Sequence, residues 1–222
     1  MNRFIWNMRY PDARGVPGDV TTERSLTGPL APPGLYQVQL TVGDQTATQS
    51  FEIRKDPRVS ATQADFAAQF ALLLQIRDKL SETHDAIVQL RNVRQQVEEW
   101  TRRAASQSDG RPMAGKVAEA AQGLQGKLSA IEEELIQGQA RVQQDQLNLP
   151  TRLNAKLAAL TSVVASADGV PTQQAYAVFR DLSERIDQQL TRVREVVETD
   201  VLAFSNLIRE SDIPAVVPNL LA

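Results

Sequence analysis

A chain of 222 residues, 42% hydrophobic and 23% charged, holds one large domain or two small ones and has the composition of a globular protein. Its 24 basic and 27 acidic residues leave a net charge of -3, without the basic excess usual in nucleic-acid binders, so no nucleic-acid partner is expected. Cysteine is absent, which excludes disulfides and thiolate metal sites and fits both the cytosol and exported bacterial proteins.

The first ten residues lack the apolar core of about 7–15 residues that marks a signal peptide, and no stretch reaches the ~18 apolar residues of a membrane span. No membrane span is expected, and the compartment stays open. Phe4, Trp6 and Met8 alternate with Arg3, Ile5, Asn7 and Arg9, the period of a strand. A strand so close to residue 1 leads us to expect that the chain is missing its beginning. Prolines and glycines between Tyr10 and Pro33 predict a long loop. Leu35–Val42 then reads as a strand, with Tyr36, Val38, Leu40 and Val42 on one face and Gln37, Gln39 and Thr41 on the other. Gly43-Asp44 predicts a tight turn, and Gln45–Arg54 returns with Ala47, Gln49, Phe51 and Ile53 on one face. About three strands fall well short of the roughly seven of an immunoglobulin-like sandwich. The apolar face bearing Trp6, Tyr36 and Phe51 therefore needs cover from helices, from a partner or from sequence upstream.

Lys55-Asp-Pro-Arg58 marks a border, because Pro57 disfavours helix at Asp56. Residues 1–58 read as a partial Ig-like β-domain and 59–222 as a helical bundle with an apolar tail. From Ser60 to Ala105, Phe66, Phe70, Leu73, Ile76, Leu80, Ile87, Leu90, Val93, Val97 and Trp100 recur in helical steps uninterrupted by Gly or Pro. A helix of that length spans roughly 65 Å and suits an elongated bundle. Thr62 and Asp65 fit a capping box at its start. Ser106–Pro112 breaks the pattern, with Gly110 as terminator. A second helix, about Met113 to Gln144, carries a heptad-like seam at Val117, Ala121, Leu124, Leu128, Ile131, Leu135 and Val142, with Gly138 at the remaining position. Its glycines each cost about 1 kcal/mol relative to Ala, so packing must stabilise it. Pro150 suits the first position of a shorter third helix with Leu153, Leu157, Leu160 and Val164, ended by Ser166–Gly169. A fourth runs from about Thr172 to Arg209 on Tyr176, Phe179, Leu182, Ile186, Leu190, Val193, Val197, Val201, Phe204 and Leu207. Pro214 and Pro218 come next, then an apolar tail of Val216, Val217, Leu220 and Leu221. The expected fold is α+β, mainly α: a small partial β-sandwich followed by an up-down bundle of about four helices.

The chemistry-bearing residues are dispersed. His84, the single histidine, can build neither a His-based metal cluster nor a triad with a second base, and is expected to be a solvated or hydrogen-bonded helix residue whose loss changes little. Glu98-Glu99, Glu132-Glu133-Glu134, Glu195 and Glu198 point in diverging directions along their helices, whereas a glycosidase needs two carboxylates facing one sugar. They read as solvated faces paired with basic residues three or four positions away. Arg91 and Arg94 flank the first seam, and Arg102-Arg103 suits a helix C-terminus. Ser166-Ala-Asp168-Gly169-Val-Pro-Thr172 departs from the Asp-box Ser-x-Asp-x-Gly-x-Thr-Trp, since Asp and Gly are adjacent and the Trp is absent. Gly15 and Gly18 lack the strand-loop-helix setting and the Lys-Ser/Thr pair of a phosphate loop. No catalytic, cofactor-binding or metal residue is assigned, and no cofactor is expected.

Asn2–Ala13, Gly28–Val42 and Lys55–Arg58, continued by Gln75-Ile-Arg-Asp-Lys79, Leu153–Ala159 and Tyr176-Ala-Val-Phe179, together resemble the region after the propeller in a family of large bacterial proteins. That family carries a sortilin-like, BNR-repeat β-propeller and is commonly labelled glycosyl hydrolase. The resemblance implies an exported parent, periplasmic or extracellular, and a non-catalytic C-terminal accessory module serving assembly or partner binding. The implied partner is the β-propeller domain of the parent chain or a second copy in a homo-oligomer. The propeller, which would carry the Asp-boxes and any active site, is absent here, so no catalytic residue carries over. Two alternatives stand beside this reading: part of a glycoside hydrolase, and a stand-alone helical self-association or scaffold protein.

Overall fold

The structure is a computed structural model that describes residues 3–22, 25–106, 112–211 and 213. Two strands, β1 (Gly34–Val42) and β2 (Gln45–Ile53), precede the helices α1 (Gln63–Ser106), α2 (Pro112–Leu135), α3 (Leu153–Val164), α4 (Gln173–Glu195) and α5 (Leu202–Glu210). A 3-10 turn, Gln143–Leu147, lies between α2 and α3, and a π-helical stretch, Val196–Val201, runs α4 into α5 without a break. The fold is α+β and mainly α, a helical bundle with a small antiparallel sheet. Contacts divide it into two compact units, one of Met1–Gly15, Thr22–Ser81 and Ala155–Ser183, the other of Val16–Thr21, Glu82–Asn154 and Glu184–Ala222.

In the first unit the apolar stripe of α1 buries Phe66, Leu72, Leu73, Ile76 and Leu80, while α3 buries Leu157, Leu160 and Val164 and α4 buries Ala175 and Leu182. Leu73, Ile76 and Leu80, and likewise Leu157, Leu160 and Val164, recur at steps of three or four residues, as one face of a helix requires. The predicted capping box sets the start of α1. Asp65 N donates to Thr62 Oγ1 at 3.2 Å, and Thr62 N donates to Asp65 Oδ2 at 2.8 Å. At the far end of α3, Gln69 Nε2 donates to the carbonyls of Val164 and Ala167 at 2.8 and 2.7 Å, satisfying acceptors that the helix leaves open.

The bonds from Thr62 hold the Asp65 carboxyl below its ordinary range. A folded-state pKa depressed in this way contributes stability above the unfolded value of about 3.9 and loses it as pH falls through the folded value. Asp65→Asn is thus expected to lower the urea midpoint at neutral pH. The gap from the unsubstituted chain should shrink once pH drops below about 4, and a gap independent of pH would remove the carboxylate from the account.

In the second unit the buried residues include Ile87, Leu90 and Val97 of α1, the predicted seam Val117, Ala121, Leu124, Leu128, Ile131 and Leu135 of α2, and Ile186, Leu190 and Val193 of α4. Helix α2 stops at Leu135 rather than continuing to Gln144. Side chains take over the backbone groups just beyond it. Gln137 accepts from the Gln139 amide at 3.1 Å and donates to the Pro150 carbonyl at 3.2 Å, while Asp145 Oδ2 accepts from the amides of Arg141 and Val142. Gly138 and Val142 are consequently exposed and outside the seam. Helix α3 starts at Leu153, beyond the predicted Pro150. In the last helical run Val196 and Ile208 are buried while Val197 and Leu207 are half-buried: Val196 follows Val193 by three residues and Ile208 follows Phe204 by four, on either side of the π-helical stretch.

The expected first strand is the largest departure. Residues 3–9 form no strand and pair with the rest of the chain through one bridge, Arg9 to Leu30, so the sheet has two strands and not three. The partner stretch Gly28-Pro-Leu-Ala-Pro-Pro33 lacks amide donors at its prolines and cannot sustain a ladder. Met8, at φ 57°, leaves extended geometry altogether. What forms instead is a clasp. Tyr10 N donates to Pro29 O at 3.0 Å, Ala31 N to Met8 O at 2.8 Å, Ala13 N to Leu26 O at 2.8 Å, and Gly28 N to Asp12 Oδ1 at 2.7 Å. The break expected at Gly110 and the apolar tail from Val216 to Leu221 lie outside the described residues.

Candidate interaction surface

The hairpin of the first unit presents the most exposed apolar face among the described residues. Val42 pairs with Gln45 across the two-residue turn, in which Gly43 has φ 59° and Asp44 does not enter positive φ. That is the type II′ pattern, whose twist matches the strands. The register sets Tyr36 opposite Phe51, with ring centroids 5.8 Å apart and nearly parallel planes. Trp6 packs onto both rings at 5.9 and 6.1 Å, held by its Nε1 donating to the Arg9 carbonyl at 2.9 Å. Tyr36 donates to the Pro32 carbonyl at 2.7 Å. Burial pushes its phenol up from the ordinary value, and Tyr10 adds to the shift.

Trp6 covers the root of this face. Farther along the same face, Val38, Leu40 and Val42 are 50%, 63% and 68% exposed. Full burial of each is worth about 1.5–3 kcal/mol, most of which the hairpin forgoes as it stands. Neither strand has a Lys, Arg or Pro to discourage edge pairing: the nearby charges are Asp44 in the turn and the Glu52–Arg54 pair at 2.8 Å near the open end. The opposite face is polar, with Gln37, Gln39, Thr41, Thr46, Thr48 and Ser50.

Other residues singled out by the sequence fall elsewhere. His84 is fully buried and not solvated, and so is Thr83. The reason is its spacing: His84 sits four residues after Leu80 and three before Ile87, in line with the buried stripe of α1. Of the three consecutive glutamates, Glu133 and Glu134 are exposed but Glu132 is buried and pairs with Arg91 at 2.8 Å and Arg94 at 2.7 Å. These pairs join α2 to α1 and do not run three or four residues along one helix. Positional cues were present: Arg91 and Arg94 follow Leu90 by one and four residues, and Glu132 follows Leu128 by four. Glu99 accepts from Gln95 at 3.1 Å, and Asp168 is exposed. Among the described residues no group of three or more His, Asp or Glu is placed to hold a metal ion, and no helix is long and apolar enough to cross a membrane.

Compared with protein-family models, curated proteins and solved structures, the chain gives no significant match.

Proposed function

We propose that this chain is a non-catalytic accessory module that serves assembly, docking a partner through the apolar face of its β-hairpin. The observation that carries this reading is the row Val38, Leu40 and Val42, exposed on nine-residue strands that carry no basic side chain. The occupant we assign is a β-propeller domain of a larger exported protein. Support for that choice comes from the motif resemblance and from the apolar character of the face, which suits an apolar partner surface.

Val38→Lys and Leu40→Lys test it. Both positions are exposed, so stability should change by no more than about 0.5 kcal/mol. Binding of an apolar-surface dye and of a recombinant BNR-repeat propeller domain should drop together. A chain that binds neither dye nor propeller overturns the reading, and self-association abolished by the two lysines would make a second copy the occupant.

A second reading, self-association through the helices, draws on an apolar cleft of about 390 Å³ in the second unit, lined by Val97, Trp100, Phe204 and Ile208. Light scattering over a concentration series separates the two. A dimer that persists in both lysine variants selects the helical interface.

A further inference from the structure

We propose that the apolar cleft of the second unit is the seat of the chain's own C-terminal stretch, residues 214–222, which docks there in cis. Docking of this kind is independent of the hairpin's role, and it competes with helical self-association for the same cleft. Both walls come from the second unit: α1 supplies Val97 and Trp100, and the last helical run supplies Phe204 and Ile208. Val97, Phe204 and Ile208 are buried and form the floor, while Trp100 is half-buried at the rim. The path of the backbone points to the occupant. Helix α5 ends at Glu210, where Ser211 N donates to Ile208 O at 3.2 Å. A chain running straight off the helix in extended form would set Ile213 about 10 Å beyond Glu210. Ile213 instead lies half-buried on the wall of the cleft, so whatever follows it starts there.

The sequence that follows suits the cleft. From Ile213 to Ala222 no side chain is charged, and Val216, Val217, Leu220 and Leu221 are large and apolar. Pro214 and Pro218 lack amide donors and disfavour a further helix, which suits an extended segment laid in a groove. Reach is no obstacle. Val216 and Val217 follow Ile213 by three and four residues, roughly 10–14 Å at full extension, and Val93 to Trp100 on the α1 wall covers only about 10 Å. The cavity, about 390 Å³, is more than twice the ~150 Å³ that accepts a benzene ring, so it has room for about two or three aliphatic side chains. Leaving four large aliphatic residues in water is unfavourable. Their tether at Ile213 holds them at an effective concentration of about a millimolar, so even a weak apolar contact is populated.

Fluorescence of Trp100 tests this in a Trp6→Phe chain, where it is the remaining tryptophan. Ending that chain after Ile213 should shift the emission to the red and strengthen acrylamide quenching about twofold. A synthetic peptide of residues 211–222, added at about 1 mM, should reverse both changes. Val217→Lys with Leu220→Lys, in the chain of 222 residues, should reproduce the effect of truncation without removing backbone. Light scattering on the same samples reports the oligomeric state. Emission and quenching that stay the same on truncation overturn the proposal. An effect of truncation that the two lysines fail to reproduce also overturns it, since apolar contact is then not what shields the ring. Shielding of Trp100 that fades on dilution together with a dimer does the same, because the occupant is then a second copy.

Discussion

Gly28→Ala is expected to open the clasp between residues 8–13 and 26–31 and to lower the stability of the first unit by about 3 kcal/mol or more, the upper end of the range for overpacking. A Cβ built on Gly28 falls on the Tyr10 carbonyl group and comes within 2.5 Å of the Pro11 carbonyl oxygen. Those atoms are backbone and cannot rotate aside. They are also pinned by the bonds of the clasp: Tyr10 N to Pro29 O, Gly28 N to Asp12 Oδ1, and Arg9 Nη1 to Gly28 O at 2.8 Å. The clasp seats Tyr10 against Phe70 of α1, with ring centroids 4.7 Å apart, and positions Trp6 over the hairpin. Two measurements check this. Urea denaturation should show the loss of stability, and limited trypsin digestion should cut after Arg9 and Arg14 earlier than in the unsubstituted chain. As a control, Gly126→Ala has open space around the added methyl in the middle of α2 and should be neutral or slightly stabilising. Equal stability of Gly28→Ala and the unsubstituted chain would mean that the two segments do not approach as closely as described.

The contrast between the clasp and the helices shows where local pattern suffices. The start of α1 was legible because Thr62 and Asp65 cap it through bonds three residues apart, and the seam of α2 was legible because its period persists for several turns. The hairpin was legible because Gly43-Asp44 sits between two alternating runs. The first strand failed although its alternation was equally clean. A strand needs a partner, and the fate of Phe4 to Met8 depended on prolines more than twenty residues away. The end of α2 failed for a similar reason, since Gln137 and Asp145 offer the backbone an alternative that periodicity does not register. Of the candidate surface, the apolar face was visible in the sequence, but its partial cover by Trp6 alone was not. Burial of Glu132 was hidden because a run of three glutamates looks like a solvated face, and only the arginines on a different helix make one of them an interior residue.

Glu132→Leu is expected to cost about 2–4 kcal/mol, somewhat below the ~3–5 kcal/mol typical of breaking a fully buried pair. Glu132 is 8% exposed, and its loss leaves Arg91 and Arg94 facing each other and a leucine. The discount arises because the arginine side chains are 34% and 27% exposed, so solvent screens part of the unpaired charge. Leucine keeps most of the side-chain volume, which makes a cavity a minor contribution. The decisive comparison is Glu132→Leu combined with Arg91→Met and Arg94→Met. If the cost of the single substitution is uncompensated charge, removing both cations should restore most of the stability, because apolar replacement of a whole buried ion cluster is often neutral or stabilising. If instead the triple variant is no more stable than the single one, the loss comes from packing of the carboxylate stem against α1, and the ion cluster contributes little. Urea midpoints and slopes for the unsubstituted, single and triple chains distinguish these outcomes, with an unchanged slope required for the comparison to hold.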